Sequence, residues 1–198
     1  MCWKSKKEGS KKIPLMSVLS VGNSAVGKTA ILKKYLENVF NQEMTSTIGE
    51  EYFVLERNFV FDGKTVPIKA KIWDSSGQER FKNLVVSAAK NTQGIFFVYD
   101  MTFEKSFQDL KEWIDSVNKV KDNNTTGFPF IILANKVDLE EERKISHEEG
   151  KAFADKLKIP YFETSAKTGQ GLQEAFQCLF ESVYKTTKGK PSGNIAIS

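Results

Sequence analysis

The sequence has little cysteine. Cys2 and Cys178 are the only two in 198 residues, too few for a disulfide framework, which makes a reducing compartment the expectation. No apolar run comes near the roughly 18 residues that a membrane-spanning helix needs. The opening, Met1-Cys2-Trp3-Lys4, has none of the apolar stretch of a secretory leader. The single histidine, His147, reads as an exposed helix residue with no metal or acid-base role. Beyond its first dozen residues the chain also lacks net charge. Of 29 basic and 25 acidic residues, five lysines (Lys4, Lys6, Lys7, Lys11, Lys12) and Glu8 fall in residues 1–12, so the remaining 24 of each sign cancel. The pI of 8.9 therefore describes a tail and not a basic face, and no nucleic-acid partner is expected. What is present, 40% apolar and 27% charged residues, suits one globular domain over residues 13–187, flanked by a basic tail (1–12) and a Gly/Pro/Ser-containing tail (188–198).

Apolar runs alternate with amphipathic stretches, the pattern of an α/β domain with a largely parallel sheet. Leu15 to Val21 reads as a strand buried on both faces, followed by a Gly-rich turn and a helix over Ala30 to Leu36. Tyr52 to Phe61 and Val66 to Trp73 flank Asp62-Gly63, a hairpin signal, and form an antiparallel ribbon at one edge. Gly94 to Asp100 and Phe128 to Asn135 read as central strands, each leading to a helix, over Lys105 to Val120 and Ser146 to Leu157. Ser146 with Glu149 is a capping box. A short strand, Tyr161 to Thr164, precedes a last helix whose Leu172, Ala175, Phe176, Leu179, Phe180 and Val183 share one face, with Cys178 off it.

Three stretches carry chemistry. Gly22-Asn23-Ser24-Ala25-Val26-Gly27-Lys28-Thr29 fits G-x-x-x-x-G-K-[ST] between a strand and a helix. Gly22 and Gly27 let the backbone turn so that N–H groups point at phosphate oxygens, and the helix N-terminus adds partial positive charge. Lys28 reaches the β- and γ-phosphates, and the Thr29 hydroxyl suits Mg²⁺. Asn135-Lys136-Val137-Asp138, after a strand end, selects the base: the Asp138 carboxylate accepts from N1–H and the 2-amino group of guanine, donors that adenine lacks. The Lys136 stem lies over the ring, Asn135 ties this loop to the phosphate loop, and Ser165-Ala166-Lys167 brings the Ala166 N–H to guanine O6. Between them, Asp74-Ser75-Ser76-Gly77-Gln78 offers a carboxylate for Mg²⁺ through water, a Gly77 N–H for the γ-phosphate, and an uncharged Gln78 that orients the attacking water. Thr47 offers a second hydroxyl for Mg²⁺ and an N–H for the γ-phosphate.

Together these residues resemble the Ras superfamily of small GTPases, and within it the Rab family, over about residues 14–186. The resemblance rests on Gly22 to Thr29, Ser46 to Tyr52, Trp73 to Phe81, Tyr99 to Phe107, Asn135 to Asp138 and Glu163 to Lys167. It implies a P-loop G domain: a six-stranded, mostly parallel sheet with one antiparallel edge strand and helices on both faces. It further implies GTP and GDP with Mg²⁺, and switches at about 39–49 and 75–89 that meet an exchange factor, a GTPase-activating protein and effectors. The stretch from Asp138 to Ile145 is too short for the extra helix of Rho proteins. Departures are Ser75-Ser76 in place of Thr-Ala, Ala88-Ala89 in place of two tyrosines, and Tyr52 in place of a phenylalanine, while Trp73 is kept.

Residues 193–198 hold no cysteine for prenylation, and Cys2 stands where myristoylation needs glycine. The expectation is a cytoplasmic protein with no stable membrane anchor, whose weak membrane contact runs through the basic N-terminus and an acylated Cys2. Three functions are weighed: a GTP-hydrolysing switch in trafficking or assembly, a nucleotide-bound structural subunit with little turnover, and an adenine-nucleotide P-loop enzyme. Asp138 argues against the third.

Overall fold

Asp62 and Gly63 both hold positive φ, 48° and 72°, the geometry of a tight hairpin turn whose twist matches that of paired strands. In the computed structural model, which describes residues 15–41, 50–78, 82–121 and 127–188, this turn joins β2 (Glu50–Phe61) to β3 (Lys64–Ser75). They pair antiparallel from Phe61↔Lys64 to Glu50↔Ser75. With β1 (Leu15–Val21), β4 (Gly94–Asp100), β5 (Phe130–Asn135) and β6 (Tyr161–Glu163), they form one sheet in the order β2-β3-β1-β4-β5-β6. Every other pairing is parallel. Strand β5 starts two residues later than the apolar run suggests, because Pro129 has no N–H for the ladder.

The helices are α1 (Lys28–Glu37), α2 (Lys82–Ala89), α3 (Glu104–Gln108), α4 (Leu110–Val120), α5 (His147–Leu157) and α6 (Leu172–Lys188). The single helix expected over 105–120 is divided at Asp109. That residue keeps helical angles (φ −72°, ψ −15°), donates to Lys105 O at 3.0 Å and accepts from Trp113 N at 3.1 Å, so the chain does not turn there. Ser146 caps α5, its Oγ accepting from Glu149 N at 3.1 Å. Only a three-residue 3₁₀ turn, Glu140–Glu142, lies between the base loop and α5.

Strand β4 is buried along its whole length and shows how the two faces are filled. Phe96 and Val98 join α1 and α6 residues, among them Ile31, Phe176 and Phe180, in one core. Ile95, Phe97 and Tyr99 join Trp113, Ile114 and Val117 of α4 in the other. The apolar face of α6 expected from its spacing is fully buried, and Cys178 beside it is half-buried. Burial pushes the Cys178 thiol up. His147 is exposed, its Nδ1 3.4 Å from Glu163 Oε1. Residues 1–14, 42–49 (Thr47 among them), 79–81, 122–126 and 189–198 lie outside the described residues.

The sheet sets the phosphate loop through one close approach. Gly22 has φ +148°, and a Cβ there would lie 2.1 Å from the Val98 carbonyl oxygen of β4. Backbone cannot yield as a flexible side chain does. Gly22→Ala is therefore expected to destabilise the fold by about 3 kcal/mol. Urea denaturation of the two proteins measures the difference.

Candidate functional site

The loops after β1, β3, β5 and β6 meet at the carboxyl edge of the sheet, where open α/β sheets hold ligands. They enclose a cavity of about 410 Å³. Ser24, Ala25, Gly27, Lys28, Thr29, Gly77, Asn135, Lys136, Asp138, Ala166 and Lys167 line it, all anticipated from the sequence. Gly22, Asn23, Val26, Asp74, Gln78 and Ser165 are not on its wall. Phe40 and Asn41 are; the sequence placed both only within the expected switch at 39–49 and gave neither a role of its own at the cavity. The available signal was Phe40 itself, a large apolar side chain left 39% exposed in a short polar segment after α1.

The phosphate loop wraps the first turn of α1. Gly27 begins the helix at φ 96° with no side-chain cap, so the first-turn N–H groups remain for an anion. Ala25 also takes a left-handed conformation (φ 62°), which costs a residue with a Cβ about 1 kcal/mol. Lys28 is buried, and its ammonium donates to Gly22 O at 2.9 Å and Asn23 O at 2.8 Å. Burial pushes its pKa down to about 8, opposed by the charge of Asp74. Asp74, fully buried, accepts from Thr29 Oγ1 at 2.5 Å and Ser20 Oγ at 3.2 Å. Burial raises its carboxyl, against the pull of Thr29 and Lys28.

The base loop is held from three sides. Asn135 donates through Nδ2 to Val26 O at 2.8 Å, and its Oδ1 accepts from Ala166 N at 3.2 Å. One amide thus joins base loop, phosphate loop and Ser-Ala-Lys loop, and it engages the backbone N–H expected to face guanine O6. Asp138 accepts from Ser165 Oγ at 2.6 Å through Oδ1, and Lys167 Nζ lies 3.9 Å from its Oδ2. Lys136, at φ 69°, is drawn back by Asp100 of β4, whose Oδ2 lies 2.5 Å from its Nζ. Asp100 is buried and also holds Thr102 through its other oxygen. Sequence reading missed Asp100, for nothing local links it to residue 136.

The two serines that depart from the Rab pattern are both buried. Ser75 Oγ donates to Ser20 O at 2.6 Å, tying β3 to β1 beside Asp74. Ser76 Oγ accepts from Gln78 N at 3.5 Å. Gly77 lies tight against the phosphate loop: a Cβ there would be 2.2 Å from the Asn23 carbonyl carbon. Away from the cavity, Lys71 Nζ sits 3.8 Å and 4.0 Å from the ring centroids of Tyr52 and Trp73, a cation between two aromatic faces.

Comparison with known proteins points the same way. Residues 17–185 match the model of the Ras family. The chain is 38% identical over 180 residues to "Ras-related protein Rab-13" of Rattus norvegicus, covering 91% of this chain and 85% of that one. It is 37% identical over 182 residues to "Ras-related protein RABD2a" of Arabidopsis thaliana, covering 92% and 86%. With "GTP-binding protein YPTM2" of Zea mays the identity is 34% over 178 residues, covering 90% and 84%.

Proposed function

We infer the work of this cavity from one premise: the chain belongs to the Ras family, as a Rab-like GTP-binding switch that hydrolyses GTP. The observation that supports the assignment of roles is the convergence of the Lys28 loop, the Asp138–Ser165 pair and Asn135 on a single cavity. Backbone N–H groups of residues 23–29 cradle the phosphates, and Lys28 answers the charge of the β- and γ-oxygens. Asp138 reads the guanine edge, with Ser165 fixing one of its oxygens. Lys136, restrained by Asp100, lays its stem along one face of the base, and Phe40 offers an apolar ring nearby.

The Thr29 hydroxyl and the buried Asp74 carboxylate stand side by side, the hard oxygen donors that suit Mg²⁺. Among the described residues no three His, Cys, Asp or Glu side chains converge. That suits an ion held mainly by hydroxyls, water and phosphate. Thr29, Asp74 through water, and Thr47 are the residues proposed to hold it. When bound, Mg²⁺ neutralises charge on the phosphate oxygens.

In hydrolysis, water attacks the γ-phosphorus and GDP leaves with the β–γ bridging oxygen. Gln78 orients that water, and Gly77 offers its N–H to the γ-phosphate. No arginine lies in the phosphate loop, so unaided hydrolysis is expected on the order of 10⁻⁴ per second. Gln78→Leu is expected to slow it by about tenfold, because a leucine neither donates nor accepts. Single-turnover hydrolysis of both proteins decides it; equal rates overturn the role given to Gln78.

The segments 39–49 and 75–89, with the Tyr52–Lys71–Trp73 surface, are proposed to meet an exchange factor, an activating protein and effectors in trafficking. The relatives give no support to a structural subunit that keeps its nucleotide. No helix among the described residues is long and apolar enough to cross a membrane. The scarcity of cysteine supports the reducing cytoplasm as the place of work.

A further inference from the structure

Asn23 belongs to the phosphate loop, yet its side chain points away from the cavity and toward the start of helix α4. Its Nδ2 donates to Asp109 Oδ2 at 2.8 Å, and its Oδ1 accepts from Trp113 Nε1 at 2.7 Å. Both ends of the amide are therefore engaged, by residues one helical turn apart on the same face. Trp113 is itself held: it is buried, Lys82 Nζ of α2 lies 5.1 Å from its ring centroid, and Lys82 pairs with Glu112 at 2.6 Å. Asp109 is steadied by Lys105 at 2.7 Å. Burial pushes the Asp109 carboxyl up, but Lys105 and Asn23 more than offset it, so it is held below the usual carboxylate range.

The Asn23 backbone touches two groups that matter for the nucleotide. Its carbonyl accepts from Lys28 Nζ at 2.8 Å. Its carbonyl carbon is the nearest wall to Gly77, so near that a Cβ on that glycine would lie 2.2 Å away. A tilt of the residue 23 peptide moves both the Lys28 anchor and the space left for Gly77.

We propose that Asp109 and Trp113 are positioning residues of the nucleotide site, which hold the phosphate loop through the Asn23 amide and thereby set the rates of nucleotide release and GTP hydrolysis. The proposal rests on the reading of the cavity as a guanine-nucleotide site. It assigns to the first turn of α4 an influence on chemistry that none of its side chains touches.

The hydrogen-bond polarity supplies the test. Asn23→Asp places a carboxylate oxygen against Asp109 Oδ2, and two like charges then face each other across a hydrogen-bond distance. Adding Asp109→Asn restores a donor to that contact, while the carboxylate introduced at position 23 still accepts from Trp113. Trp113→Phe keeps a buried ring and removes only the N–H. Release of a fluorescent GDP analogue and single-turnover hydrolysis of GTP are measured on the full chain, with thermal unfolding alongside. Asn23→Asp and Trp113→Phe are each expected to speed release about tenfold, the effect of losing one hydrogen bond to a buried or charged partner. Hydrolysis slows in the same two variants. Asn23→Asp with Asp109→Asn is expected to return both rates to within about twofold of the parent, a coupling that only a direct contact gives. If Asn23→Asp does not fold, Trp113→Phe decides the matter alone. Unchanged rates in folded single variants, or a double variant that is merely the sum of the two, overturn the proposal. A parent protein that fails to retain guanine nucleotide overturns the underlying reading instead.

Discussion

Asp138→Ala is expected to weaken GDP and GTP binding by roughly 10²–10⁴-fold, the largest effect of any single side chain on the base. The carboxylate accepts two hydrogen bonds from guanine, each charge-assisted and each worth about 1.5–3 kcal/mol when the partners are out of water. Alanine leaves the N1–H and the 2-amino group of the base without acceptors. It also strands the Ser165 hydroxyl, which donates to Asp138 at 2.6 Å, and removes the carboxylate 3.9 Å from Lys167. The phosphate loop is untouched by this change, so residual binding should lose its preference for guanine over adenine. Competition of GDP, ADP and GTP against a fluorescent nucleotide on both proteins measures affinity and selectivity together. A parent protein that holds ATP as tightly as GTP would sink the role given to Asp138.

The second large effect is expected at Lys28, and it carries a pH signature. Lys28→Ala removes a buried ammonium beneath the phosphate loop and leaves the carbonyls of Gly22 and Asn23 without its hydrogen bonds. The loss in affinity should be about a hundredfold or more, two charge-assisted contacts to phosphate being lost. Burial holds the Lys28 pKa at about 8, whereas phosphate oxygens beside Nζ favour the charged form and raise it. Below pH 8 the lysine is protonated with and without nucleotide, so affinity is flat there. Above pH 8 binding must take up a proton, and affinity falls by up to tenfold per pH unit until the raised pKa is reached. Titrations from about pH 7 to pH 9.5 should show that fall in the parent and no such slope in Lys28→Ala. A flat parent curve would mean that Lys28 does not change its proton on binding.

What the sequence determined by itself is the chemistry that short stretches carry. Gly22 to Thr29 between a strand and a helix reads as a phosphate loop because glycine spacing, helix start and lysine all lie within eight residues. The strands were legible for the same reason: β1, broken only by Ser17 and Ser20, and β4 as far as Asp100 are largely apolar, and Asp62-Gly63 favours a tight hairpin turn. Asp138 and the Ser165-Ala166-Lys167 stretch were assigned to the base from the identity of the donors and acceptors that guanine presents.

Only the tertiary structure decided which way the connecting side chains face. The tie of Asn135 to the phosphate loop, made at Val26 O, was expected from the sequence, whereas Asn23 reaches across 86 and 90 positions to Asp109 and Trp113. Such contacts have no local signal, because an amide in a turn is equally able to bond its own backbone, water, or whatever the fold brings near. The folded sheet places the ends of β1, β4 and β5 side by side, and only then do Asp100 hold Lys136, Asn135 take the Ala166 N–H and Phe40 reach the cavity. Residue type and spacing pointed to the ligand class. The order of the strands settled which side chains line the cavity and which, like Asn23, face away from it.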